Sequence, residues 1–309
     1  MYRKKRINQK GRLFKQFAGK HYLWKILLWM LYVLTAGIFI MNGEAYLKQY
    51  ASFSNLQITA NETSEFRKMK LSEDSLEALI AMKEENNIDI SKLLVVLMTD
   101  NNFNLNKWEY DGYSLEAFES SLNKKRLYRE EAFEILRESY DAIWKDVEYF
   151  PIPVSTNEKR EPVVYEDSWM FERNYGGKRA HEGTDIMAGD NERGIYPIVS
   201  MTDGVVEKIG WLEQGGYRIG IKSTHGGYFY YAHLASYEKE FEIGENIQAG
   251  QLLGYMGDTG YSTVEGTTGM FDVHLHLGIY IETEQKEELS VNPYWILRYI
   301  EGSRLQYDY

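Results

Sequence analysis

Cysteine is absent from the 309 residues. That excludes disulfides, thiolate metal sites and a cysteine nucleophile together, so any metal must be held by His, Asp or Glu. Proline is scarce and unevenly placed: none of the five falls before residue 151, where only five of the 26 glycines lie. Basic charge is scarce beyond the amino terminus. Residues 1–25 carry nine Lys and Arg and no acid, while the rest holds 26 basic against 46 acidic residues. A body that acidic is a poor ligand for nucleic acid, whose affinity comes largely from Lys and Arg on phosphates, so no nucleic-acid partner is expected. Histidine is scarce too, with six in the chain, and five of them fall within residues 181–276. At 44% hydrophobic and 26% charged, the chain is not a disordered polymer. Its length suggests about two domains.

The basic block Arg3-Lys4-Lys5-Arg6, with Lys10, Arg12, Lys15, Lys20 and Lys25, precedes sixteen uncharged residues, Ile26 to Met41. Leu23 and Trp24 extend the apolar run across Lys25, whose stem can snorkel. About 20 mostly apolar residues cross a bilayer, so residues 23–43 are expected to form a transmembrane helix. Basic residues ahead of it place residues 1–22 in the cytoplasm and the remainder outside, a single-pass cell-membrane protein. A cleaved signal peptide is the competing expectation, but it has a shorter apolar core and an A-x-A-like site, which is not evident after Met41.

The change in Gly and Pro usage near Phe150-Pro151-Ile152-Pro153 marks a change of structural class. Residues 44–150 are expected to be α-helical. Ser72 can cap a helix carrying Leu76, Leu79 and Ile80, and Ser91 can open another. A third is expected from about Arg126 to Trp144, with Phe133, Leu136, Tyr140 and Ile143 as its buried stripe. Glu130, Glu131, Glu134 and Glu138 read as its solvated face. Without a His, this segment shows no catalytic constellation. It is expected to be a spacer, a gate or a unit that binds envelope partners. Residues 151–164 read as a linker and 300–309 as a tail. Between them lie short strands and turns: Gly204 to Gly210, Tyr217 to Lys222 and Tyr228 to Ala232 around the Thr224-His225-Gly226-Gly227 turn, and Gly250 to Tyr255.

His21 and His225 call for no more than solvated or structural roles. His181-Glu-Gly-Thr-Asp185 puts an imidazole and a carboxylate four apart. Gly183 argues against a helix there, but a loop entering a strand can bring both side chains to one point. His274-Leu-His276 sits in a β-rich setting, where residues two apart share a face at about 6.6 Å. Two imidazoles on one face cost desolvation unless they hold a metal or find polar partners. His233 ends the run Tyr230-Tyr231-Ala232. Catalytic zinc keeps three protein ligands and one open position. His181, Asp185 and one His of the pair can supply the three, leaving two His for acid–base work. Such a donor set suits zinc, with manganese and iron as alternatives.

At these residues the sequence resembles the LytM/lysostaphin-type family of zinc metallopeptidases, which cut peptide bonds in bacterial cell walls. The resemblance covers residues 165–299. It rests on His181-x-x-x-Asp185, Pro197…Asp203-Gly204-x-Val206, Tyr231-Ala232-His233-Leu234, Gly250-Gln251-x-x-Gly254, Gly257-x-Thr259-Gly260 and His274-Leu275-His276, in the family's order. It implies an all-β domain of two antiparallel sheets forming a groove, with a metal on its floor. It implies Zn2+ bound by His181, Asp185 and His276, with His233 and His274 as catalytic residues beside the scissile carbonyl, and Tyr175 beside the oxyanion. The implied substrate is peptidoglycan. The chain departs from the family between Ser262 and Asp272, a longer run than usual, and in Leu277-Gly278 after the His pair. Both departures bear on peptide specificity. A non-catalytic wall-binding or scaffold protein of an envelope or sporulation complex is the alternative expectation. A biotinyl- or lipoyl-like carrier is a third, weakened by the lack of a Lys at a hairpin tip.

Overall fold

The computed structural model describes residues 24–43, 53–110, 113–175 and 177–309. The expectations for residues 1–22, Leu23, His21 and 44–52 lie outside the described residues. The chain divides into two compact units, Met1–Ala51 and Ser52–Tyr309. In the first, Trp24–Gly43 forms one 20-residue helix, α1, with a mean hydropathy of 1.9. It is long and apolar enough to cross a membrane, and a signal sequence would share both properties.

The second unit begins with helices α2 (Ser64–Lys68), α3 (Glu73–Asn86), α4 (Ile90–Asp100) and α5 (Leu115–Trp144). Ser72 caps α3 as expected: its hydroxyl accepts from the Ser75 amide, and the Ser75 hydroxyl accepts from the Ser72 amide. Helix α4 opens earlier than Ser91. Asp89 is its cap, accepting from the Lys92 amide at 3.1 Å, and Ser91 is buried inside the helix. Helix α5 also starts earlier than its apolar stripe implies, because Ser114 caps it at Ala117. Its first half shows few apolar contacts to read, and Arg129 (φ −145°, ψ 42°) breaks the helical backbone before the amphipathic half begins. In that half Phe133, Leu136, Tyr140 and Ile143 are fully buried.

Ten strands form the main sheet: β1 (Val164–Tyr165), β2 (Thr184–Met187), β3 (Pro197–Val199), β4 (Gly204–Leu212), β5 (Gly216–Ser223), β6 (Tyr228–Tyr237), β7 (Asn246–Ile247), β8 (Leu252–Met256), β9 (His274–Ile281) and β10 (Leu289–Val291). Their order is β7-β4-β5-β6-β9-β2-β1, with β8 joining β3 to β6 and β10 on β9, all antiparallel. A separate two-stranded sheet, Glu172–Arg173 with Arg179–Ala180, stands before β2. The antiparallel β class expected after residue 165 is present. The stretches read as linker and tail pair with each other, Val154–Ser155 running parallel to Gln306–Tyr307.

One core runs through helices and strands alike. Gly227 marks a point of close approach: a Cβ there would stand 1.9 Å from the carbonyl oxygen of Ala142 on α5. His225 in the same turn is tied to Asp146, its amide and its Nδ1 each 2.6 Å from a carboxylate oxygen. That matches the structural role expected of it.

Candidate metal centre and cleft

The register of β9 builds the centre. His276 lies opposite Asp185 on β2 and opposite Ala232 on β6, and His274 lies two residues along the same strand. His181 follows the two-stranded hairpin and enters β2 through Glu182 and Gly183. Gly183 is required there. A Cβ at that position would lie 2.5 Å from Cε1 of His276 and from the Leu277 carbonyl oxygen.

His181 Nε2, Asp185 Oδ1 and His276 Nδ1 converge, with separations of 2.9, 2.9 and 3.0 Å. His181 Nδ1 stands 2.9 Å from the Ser168 carbonyl, to which it donates. Its Nε2 is therefore the lone-pair nitrogen, facing a carboxylate oxygen and a second imidazole. Electron-pair donors gathered this tightly repel one another unless a cation sits among them. Two imidazoles and a carboxylate fit a borderline divalent ion such as zinc. The three residues could hold a metal ion. Arg173 donates to the outer oxygen Oδ2 of Asp185 and fixes the carboxylate. Burial pushes the His276 imidazole below its usual range, with Asp185 opposing, which favours the neutral ligand form.

His233 reaches the same place by a different route. Strand alternation from Ala232, the partner of His276, would turn residue 233 to the opposite face. A bulge between β5 and β6 adds a residue there, and His233 takes a left-handed backbone, φ +64°. Its amide donates to the Gly215 carbonyl at 2.8 Å. Its Nδ1 faces the Thr259 carbonyl at 2.7 Å, and His274 Nδ1 faces the Asp272 carbonyl at 2.7 Å. Both rings therefore carry their proton on Nδ1 and leave Nε2 as the acceptor. The two ring centroids are 4.7 Å apart, and His274 Nε2 is 3.7 Å from Asp185 Oδ1. Burial pushes His233 well below the ordinary imidazole range, and the neighbouring His274 and His276 add to the effect.

These five side chains line a cleft of about 630 Å³. The structure thus brings together His181, Asp185, His276, His233 and His274. Tyr175 stands one step back, stacked on Tyr261 at 4.4 Å, and Tyr261 in turn meets His233 edge-on at 5.9 Å. Phe271, from the long run between Ser262 and Asp272, packs on His233 at 4.6 Å and on His274 at 5.0 Å. Arg173 and Phe271 carry no signal in the sequence. Gly183 and Thr259 lie within motifs, but the sequence does not show that Gly183 makes room for the His276 ring or that the Thr259 carbonyl, not its side chain, holds His233.

A family model described as peptidase family M23 matches residues 179–293. The L-Ala–D-Glu endopeptidase of Bacillus subtilis is 40% identical over 149 residues, 48% of this chain and 42% of that protein. The glycyl-glycine endopeptidase ALE-1 of Staphylococcus capitis is 35% identical over 69 residues, 22% of this chain and 18% of its own length. The chain thus spans less than half the length of the curated relatives it matches. A crystal structure from Ruminococcus gnavus, described as a candidate glycyl-glycine endopeptidase LytM, superposes with a TM-score of 0.71 at 46% identity. That match covers 84% of this chain and 99% of the other.

Proposed function

This chain belongs to peptidase family M23, and from that membership we propose that it is a zinc-dependent endopeptidase cutting peptide bonds of bacterial peptidoglycan. Its place is the outer face of the cell membrane, held there by α1 with the basic residues on the cytoplasmic side. The observation that carries the reading is the convergence of three ligand atoms within 3.0 Å, beside two further imidazoles with their Nε2 acceptors unprotonated.

His181, Asp185 and His276 would hold the ion, and zinc bound there would supply polarisation of the scissile carbonyl and a more acidic water. His233 is neutral at neutral pH because burial disfavours its cation. At Nε2, His233 and His274 take the proton of the attacking water and return it to the leaving amine. The carbonyls of Thr259 and Asp272 keep each ring in the tautomer this needs, and Phe271 shields both rings from bulk water. The two curated relatives are named for different bonds, L-Ala–D-Glu and glycyl-glycine, so stem and cross-bridge peptides are both candidate substrates.

The test is digestion of purified walls by the full-length protein in detergent, with mass spectrometry of the released peptides and metal analysis of the protein. Zinc at one equivalent and peptide release are expected. His276→Ala should lose the metal, whereas His274→Ala should keep it and lose turnover. Wall binding with zinc bound and no peptide released would replace this reading with the scaffold.

A further inference from the structure

The cleft extends past the metal ligands along a floor of tyrosines. Tyr230 meets the His276 ring edge-on at 6.0 Å, Tyr280 lies 6.3 Å from Tyr230, and Tyr228 lies 5.9 Å from Tyr280. Arg218, on β5 at the bulge that redirects His233, lines the same floor. Burial raises the Tyr230 phenol to about 12, with the Arg218 charge opposing, so the two groups are electrostatic neighbours.

Four cations line this cleft, and three have partners. Arg173 donates to Asp185, Lys208 pairs with Glu288, and Arg179 donates to the Tyr261 hydroxyl at 3.0 Å. The acid Glu182 faces Arg67 at 3.7 Å. Arg218 goes further than Arg179, whose Nε alone is left over: both Nε and Nη1 of Arg218 are buried and have no hydrogen-bond partner among the described residues. Buried guanidinium donors without acceptors are costly, and among the described residues no acceptor meets these two. A guanidinium lining the cleft among tyrosines, with donors left over, matches an anionic ligand, and in a peptide substrate the anion is a carboxylate.

We propose that Arg218 binds a carboxylate of the peptide substrate and so directs the cleft to acidic stem peptides over neutral glycine cross-bridges. The inference rests on the endopeptidase reading and adds to it a specificity-determining residue. It places the substrate's carboxylate on the tyrosine side of the metal centre, beyond His276.

Three synthetic probes test it with the full-length, zinc-loaded protein: a stem peptide containing L-Ala–D-Glu with a free α-carboxylate, the same peptide amidated at that carboxylate, and pentaglycine capped at both ends by acetyl and amide groups. The free acid should be cleaved with a kcat/KM about tenfold to a hundredfold above its amide, the range of a charge-assisted hydrogen bond. Pentaglycine should be the poorest substrate. Arg218→Gln should bring the acid-to-amide ratio to about one, and Arg218→Lys should leave part of the preference. A folding defect lowers both rates by the same active fraction and leaves the ratio unchanged. Equal cleavage of acid and amide by the unaltered protein, or a preference that survives in Arg218→Gln, overturns the inference. Failure to cleave any probe or wall material overturns the peptidase reading instead.

Discussion

At the residue scale, the centre depends as much on what is missing as on what is present. Gly183 carries no ligand, yet the His276 ring and the Leu277 carbonyl occupy the space its side chain would fill. Gly183→Ala must therefore displace the ring, since the carbonyl belongs to a paired strand. Residues that orient ligands typically cost tenfold to a hundredfold in metal affinity when altered. We expect Gly183→Ala to weaken zinc binding by about that factor, measured by competition with a chromophoric chelator, with the thermal midpoint of the metal-free protein little changed. Zinc affinity equal to that of the unaltered protein would show that the ring can retreat. This contrast also measures what could be read in advance. The five imidazole and carboxylate side chains stand out because His is rare and clustered in this chain. Arg173, Phe271 and Arg218 are ordinary residues whose roles come from neighbours distant in sequence. The face presented by His233 contradicts simple strand alternation, and a bulge is a property of pairing that one strand's sequence does not display.

At the element scale, local chemistry was legible where it is self-contained and hidden where it is not. The Ser72 cap and the 133–143 stripe need only their own helices. The first half of α5 is held instead by a distant partner. Lys125 is buried, and its Nζ lies 2.8 Å from Asp100 Oδ1 at the end of α4, where Ser121 also donates to Asp100. Burial lowers the Lys125 pKa and the Asp100 carboxylate opposes that, as for a cation kept charged by its partner. No periodicity argument places a lysine in a core. Removing Lys125 takes the cation from Asp100, which is 23% exposed and keeps its bond from Ser121, so the loss stays at or below about 3 kcal/mol. Lys125→Met should therefore lower stability by up to that amount in urea unfolding, while the pair Lys125→Met with Asp100→Leu should recover most of the loss. Lys125→Met with no loss of stability would mean that Asp100 finds solvent easily and that the α4–α5 junction is held by apolar packing alone.

At the scale of the whole molecule, the break in Gly and Pro usage near Phe150 marks a change of secondary structure, while packing continues across it. Residues Ser52–Tyr309 form one compact unit. The helices are fastened to the sheet by Arg67 at the end of α2. Its Nε donates to the Ser290 carbonyl and its Nη2 to the Ser290 hydroxyl, each at 2.7 Å, and the Asn292 amide donates back to the Arg67 carbonyl at 2.8 Å. The guanidinium also lies 5.4 Å from the Trp169 ring, next to Ser168, whose carbonyl fixes the His181 tautomer. A shared core and such cross-links predict one cooperative transition for helices and sheet. Arg67→Ala removes two hydrogen bonds of a charged donor, worth roughly 1.5–3 kcal/mol each. Each kcal/mol moves the midpoint of a unit of this size by about 2–4 °C. Helix ellipticity and near-ultraviolet aromatic signals should therefore shift down together, by about 5 °C or more. If the helical signal fell while the aromatic signal of the sheet held its midpoint, the helices would be a separately folding attachment. The cleft would then owe its geometry to the sheet alone.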